Sequence, residues 1–123
     1  MKPGKKGLAR ILAASGYSWQ GLKAAWKHEA AFRQEVLLVI ILLPLAFWVG
    51  KTPAQIAVLV LSLSIILIAE LANSAIEAVV DRFGGELHKL SGRAKDIGSA
   101  MVMITLFFSS IVWLIMIYFN FLV

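Results

Sequence analysis

The sequence predicts an all-α integral membrane fold: three transmembrane helices, preceded by an amphipathic helix on the membrane surface. Two observations predict it. Of 123 residues, 60% are hydrophobic and only 15% charged, where a soluble domain averages about 45–50% and about 25%. The apolar residues also gather into three runs without an acidic or basic side chain: Val36 to Gly50 (fifteen residues), Thr52 to Ala69 (eighteen) and Ile97 to Val123 (twenty-seven). A hydrocarbon core about 30 Å thick takes roughly twenty helical residues at about 1.5 Å each. The mean hydropathy of +0.85 excludes a disordered chain. The absence of cysteine excludes disulfides and thiolate metal sites. Length allows a single membrane domain, 1–123.

The first element, about 6–28, differs from the rest. Leu8, Ile11, Leu12, Ser15, Trp19, Leu22 and Trp26 fall on one helical stripe flanked by Lys23 and Lys27, while Arg10 and Tyr17 share the opposite face. Such a helix lies in the interface, with lysines toward anionic headgroups and tryptophans at their depth. The spans follow at 30–50, 53–81 and 93–121, with a loop at 82–92. The turn Gly50-Lys51-Thr52-Pro53 ends one helix with Gly and opens the next with Thr as N-cap and Pro at the first position. Pro44 is expected to bend the first span, and the four tryptophans are expected mostly at the membrane–water boundaries. No secretory signal peptide is expected, because the first long apolar run starts only at Val36.

Charge sets the orientation. Residues 1–35 hold seven basic residues, the short turn one, and 82–96 four, with none near the C-terminus. The N-terminus and the 82–96 loop are therefore expected in the cytoplasm and the C-terminus outside. A net charge of +5 distributed in this way points to anionic lipid, not to nucleic acid.

The chemistry concentrates in Glu70, Asn73, Glu77 and Asp81, at i, i+3, i+7 and i+11. On an α-helix these positions span only about 80°, so all four line one face. A carboxylate at the centre of a membrane helix costs about 2.5–3.5 kcal/mol on insertion scales, and such residues are functional by default. Asp81 could cap the helix in water, but Glu70 lies about 16 Å deeper along the axis. Topology brings Glu29, Arg33, Gln34 and Glu35, together with Arg93, Lys95 and Asp96, to the same end. Carboxylates beside cations suit phosphoryl transfer, in which oxygen ligands hold Mg²⁺ on nucleotide phosphates and Lys or Arg neutralises charge. Glu70, the deepest acid, is best placed to take the proton of a lipid hydroxyl, and Glu77 and Glu29 are better placed for a metal. Residues 16–21 superficially resemble a phosphate-binding loop but lack its Lys-Ser/Thr ending and the preceding strand. His28 and His88 have no histidine at ligand spacing, which argues against a zinc enzyme; His88 reads as a solvated loop residue.

The segments Glu29-Ala30-Ala31-Phe32-Arg33-Gln34-Glu35, Glu70-Leu71-Ala72-Asn73-Ser74-Ala75-Ile76-Glu77 with Val80-Asp81-Arg82, and Leu90-Ser91-Gly92-Arg93-Ala94-Lys95-Asp96 resemble those of the prokaryotic diacylglycerol kinases. The resemblance extends from about Leu8 to Trp113. It implies a homotrimer in the bacterial inner membrane with sites shared between subunits, acting on ATP and a lipid alcohol. By the same resemblance Glu70 is the general base, and Glu29 and Glu77 hold the metal. Arg10, Tyr17, Glu29, Glu77, Glu86, His88, Lys95 and Asp96 contact the nucleotide, with Asn73 and Asp81 in support. Arg10, Trp19, Lys23, Trp26, Ala31, Phe32, Arg33, Gln34, Glu35, Glu70 and Ser99 lie near the lipid. Two alternatives stand beside this one. The first is the undecaprenol kinase activity of the same family, against which Ser91-Gly92-Arg93 and Gly98-Ser99 look more like the diacylglycerol branch. The second is a small proton-coupled transporter built on an intramembrane Glu.

Overall fold

The computed structural model describes residues 6–84 and 88–123. Four helices follow in order: α1 (Gly7–His28), α2 (Ala30–Val49), α3 (Pro53–Arg82) and α4 (Lys89–Ile117), which runs on into a π-helical turn at Tyr118–Leu122. Three of them, α2, α3 and α4 with its terminal turn, are long and apolar enough to cross a membrane. This is the all-α membrane fold that the uncharged runs predict.

Helix α3 is the centre of the bundle. Its buried residues Leu59, Ser62, Leu63, Ile66, Ala69, Glu70 and Asn73 recur every three or four positions and form one stripe. It packs most extensively on α4 and next on α2. At one end Ala46, Val49 and Leu59 make a dry core closed by Val60, Val112, Trp113 and Met116. Elsewhere α2 and α4 leave large apolar side chains exposed, among them Ile40, Phe47, Phe107 and Leu114. Such faces are at home against lipid or a further helix.

Polar groups inside the bundle tie helices together. Trp113 Nε1 donates to Ser62 Oγ at 2.9 Å, and Ser109 Oγ donates to the Ser62 carbonyl at 3.1 Å. Trp113 is thus a half-buried tie between α3 and α4; Trp19 and Trp48 are exposed. Near the last turn, Asn120 Nδ2 donates to the Val49 carbonyl (2.9 Å) and to Gln55 Oε1 (2.8 Å), which also accepts from the Lys51 amide (2.9 Å). Phe121 stacks beside Trp48 with ring centroids 5.0 Å apart, and the Lys51 ammonium sits 4.1 Å from its ring centre.

The α2–α3 turn follows its sequence signals, with one difference of cause. Thr52 caps α3 by accepting from the Gln55 amide at 3.2 Å, with Pro53 as the first helical residue. Gly50 has an ordinary φ of −74°, so it is not there for a left-handed conformation. A Cβ at that position would lie 2.7 Å from Ile56 Cγ1 and 2.9 Å from its backbone nitrogen; the turn needs the space.

Helix α4 begins at Lys89, earlier than the 93 expected from the charges. The reason is His88, whose Nδ1 accepts from the Leu90 amide at 3.0 Å and caps the helix. The solvated loop histidine of the sequence reading is therefore an N-cap. Helices α1 and α2 are separated by one extended residue, Glu29 (φ −117°, ψ 104°). Arg33 fixes this break: its Nη1 donates to the carbonyls of Trp26 (2.6 Å) and Lys27 (3.2 Å), the open end of α1.

Candidate active site

The acidic stripe of α3 runs from the interior of the bundle to its surface. Glu70 is 4% exposed and Asn73 8%, Glu77 is half-buried, and Asp81 is exposed. A single helical face therefore presents carboxylates at three depths. The side chains of Glu77 and Glu29 lie within electrostatic reach of Glu70, and Glu70 within reach of Glu35. Four acids from α2, α3 and the α1–α2 break thus form one cluster. Glu29 enters it because the extended link held by Arg33 turns the chain there.

Around this cluster the bonding is incomplete. Asn73 Nδ2 donates to Glu77 Oε1 at 3.0 Å, which leaves the other carboxylate oxygen of Glu77 outside that bond. Glu35 Oε2, Asn73 Oδ1 and Ser74 Oγ are buried without a hydrogen-bond partner in the chain. Buried polar atoms are rarely left this way in native proteins, and here all three stand beside the acids. Serines elsewhere in the helices behave otherwise: Ser15, Ser18, Ser64 and Ser110 each donate to a carbonyl of their own helix. Ser74 is a site residue that sequence reasoning missed, since nothing in its spacing distinguishes it from a serine bonded to its own backbone.

One depression borders α3 beside the stripe, and a second lies between α1 and α2. A cleft of about 630 Å³ lies between α1 and α3, with Ser18, Gly21 and Ala25 on one wall and Leu71, Ala75 and Ala78 on the other; His28, Glu29 and Ser74 also line it. A second, of about 490 Å³, is bounded by Trp19, Leu22, Lys23, Trp26, Phe32 and Val36. It brings together four of the residues expected near a lipid, Trp19, Lys23, Trp26 and Phe32, in a slot whose walls are almost wholly apolar. Ala31, Gln34 and Ser99 are exposed and lie outside both depressions. Arg33 is engaged with the end of α1.

The residues expected at a nucleotide are spread more widely. Lys95 Nζ lies 2.6 Å from Asp81 Oδ1, so α4 delivers its ammonium to the shallow end of the acidic stripe. Asp96 is exposed one residue further on, and His88 is exposed at the start of α4. Tyr17 is 39% exposed on α1. Arg10, also exposed, projects about 12 Å of helix beyond Ser18, the near edge of the α1–α3 cleft. Glu86 lies outside the described residues.

The donor set can be tested against Mg²⁺. Among the described residues no three His, Asp or Glu side chains converge on a common point, so the chain does not build a closed cage. Two hard carboxylates, Glu29 and Glu77, each lie within electrostatic reach of Glu70. A small cation that keeps several waters and binds through one or two carboxylates plus substrate phosphates fits that set.

Residues 16–117 match the family model of the prokaryotic diacylglycerol kinases. Curated relatives agree along nearly the whole chain. The diacylglycerol kinase of Escherichia coli strain K12 is 49% identical over 115 residues, 94% of each chain. That of Haemophilus influenzae is 50% identical over 107 residues, 87% of this chain and 91% of its own. The Pseudomonas aeruginosa enzyme is 47% identical over 110 residues, 89% of both. A membrane fold of three spanning helices and an intramembrane acidic stripe thus coincides with similarity over most of the chain, and the protein belongs to the prokaryotic diacylglycerol kinase family.

Proposed function

We propose that this chain transfers the γ-phosphate of ATP to the hydroxyl of diacylglycerol, giving phosphatidic acid and ADP. The observation that carries the reading is Glu70: a carboxylate 4% exposed within a membrane helix, whose electrostatic neighbours are two further carboxylates, Glu77 and Glu29. A structural role would pair that charge with a cation. A base that takes a proton from an incoming hydroxyl needs the site left open.

Glu70 accepts the hydroxyl proton as the lipid oxygen forms its bond to the γ-phosphorus and the bond to the β-phosphate oxygen breaks. Glu29 and Glu77 would hold Mg²⁺, which when bound neutralises charge on the transferring phosphate and its leaving group. Asn73 fixes the Glu77 carboxylate through its amide. Lys95, steadied by Asp81, supplies positive charge at the phosphates. The apolar slot of Trp19, Trp26 and Phe32 takes the acyl chains, with Lys23 at its edge.

The same reading places the N-terminus and the turn after Arg82 in the cytoplasm, where ATP is, and the Gly50–Thr52 turn outside the inner membrane. It also assembles the chain as a homotrimer. Supporting this are the exposed apolar faces of α2 and α4, the partnerless atoms of Glu35, Asn73 and Ser74, and the distance of Arg10 from the cluster of its own chain.

Labelled γ-phosphate transfer from Mg-ATP in mixed micelles tests the proposal, with diacylglycerol and undecaprenol offered separately. Transfer to diacylglycerol that is abolished by Glu70→Gln is the expected result. Preference for undecaprenol would keep the mechanism and overturn the acceptor. A folded protein that transfers phosphate to neither lipid would overturn the reaction.

A further inference from the structure

Asn73 and Gly98 meet where α3 packs on α4. Asn73 Nδ2 donates to Glu77 Oε1 at 3.0 Å. An ionised carboxylate only accepts, so this bond obliges the amide oxygen to point the other way. That oxygen is buried without a hydrogen-bond partner in the chain. It occupies the place where a Cβ on residue 98 would be, and Gly98 is itself buried against it.

We infer that Gly98 is a positioning residue for phosphoryl transfer: the missing side chain leaves the recess that lets the Asn73 carboxamide turn its NH₂ to Glu77. The inference rests on the reading that Glu77 holds the metal–nucleotide complex. Space around the recess decides which part yields when it is filled. A Cβ at residue 98 would collide with Asn73 Oδ1 and lie 3.3 Å from its Cγ, but 3.9 Å from its Cα, an ordinary van der Waals separation. The helices therefore keep their spacing while the carboxamide has to swing away. Swinging it breaks the bond to Glu77 and frees that carboxylate to rotate. The other glycine of α4, Gly92, has no such role; a Cβ there meets nothing within 4 Å.

A double-mutant cycle on the full chain in detergent micelles tests this, comparing the parent with Gly98→Ala, Asn73→Ala and the double variant. Turnover and the Mg²⁺ concentration for half-maximal activity are both measured. Removing a residue that orients a metal ligand typically costs about 10–100-fold. Each single variant is expected to lose activity in that range and to need about 10-fold more Mg²⁺. The double variant should match Asn73→Ala alone, because the collision has already been removed. Gly92→Ala serves as the control and keeps full turnover.

Full activity in Gly98→Ala would overturn the inference. So would a double variant whose losses multiply, since that would mean that residue 98 acts through helix packing. Glu77→Ala separates the two readings. If its Mg²⁺ requirement is unchanged while the cycle stays non-additive, the coupling of Gly98 to Asn73 stands and the metal role of Glu77 falls.

Discussion

Lys95 Nζ and Asp81 Oδ1, 2.6 Å apart, join α4 to the end of α3. Asp81 is about half exposed and Lys95 about a quarter, so water screens the pair and its contribution to stability is small, about 0–1 kcal/mol. Its value is positional. Asp81→Asn is expected to leave unfolding in denaturing detergent unchanged while lowering phosphate transfer about tenfold. Lys95→Ala should cost 100-fold or more. A large loss of stability in Asp81→Asn would show that the pair serves the fold instead.

Glu70→Gln separates chemistry from folding in the opposite sense. The amide has nearly the same shape but cannot take the hydroxyl proton, so turnover should fall by about 10²–10⁴. Thermal unfolding should be unchanged or shifted upward, because the substitution removes an intramembrane charge and its repulsion from Glu77 and Glu29. Activity retained within tenfold of the parent would exclude Glu70 as the base.

Trp113→Phe keeps an aromatic side chain between α3 and α4 but loses the 2.9 Å bond to Ser62. Hydrogen bonds between membrane helices are modest, averaging about 0.6 kcal/mol, so the variant should be slightly less stable and fully active once folded. Asn120→Ala removes two bonds at once and should cost more, about 1–2 kcal/mol. Reversible unfolding in mixed micelles, followed by circular dichroism, ranks the two.

Subunit sharing has its own signature. If Arg10 of one subunit completes the Glu70–Glu77 face of the next, co-refolding equal amounts of Arg10→Ala and Glu70→Gln chains, each inactive alone, should restore about a quarter of the sites by random assembly. Mixed oligomers without any recovery would confine each site to one chain.

Much of this architecture is legible in the residue order, for a physical reason: lipid excludes charge, so uncharged runs mark spans, and helical period places Glu70, Asn73, Glu77 and Asp81 on one face. Relations between helices are not legible in the same way. Period states which side chains share a face but not which face meets which. The Asp81–Lys95 pair, fourteen positions apart, and the Trp113–Ser62 bond follow only from how α3 lies on α4. The partnerless Ser74 hydroxyl and the recess at Gly98 are equally invisible, since a serine or glycine in a helix carries no mark of its surroundings. His88 illustrates the local limit: its cap is made by a ring nitrogen at a position where Ser, Thr, Asp or Asn is the usual signal.

The bonds among Asn120, Gln55, Val49 and Lys51 gather at the Gly50 end of the bundle, whereas the acid cluster lies at the opposite end beside open depressions. The two ends are therefore tied by different means: neutral amide bonds at the Gly50 end, and at the other the Lys95–Asp81 ion pair between α3 and α4. Added salt screens the half-exposed ion pair and leaves the neutral bonds as they are, so ionic strength acts on the acid end of the bundle alone.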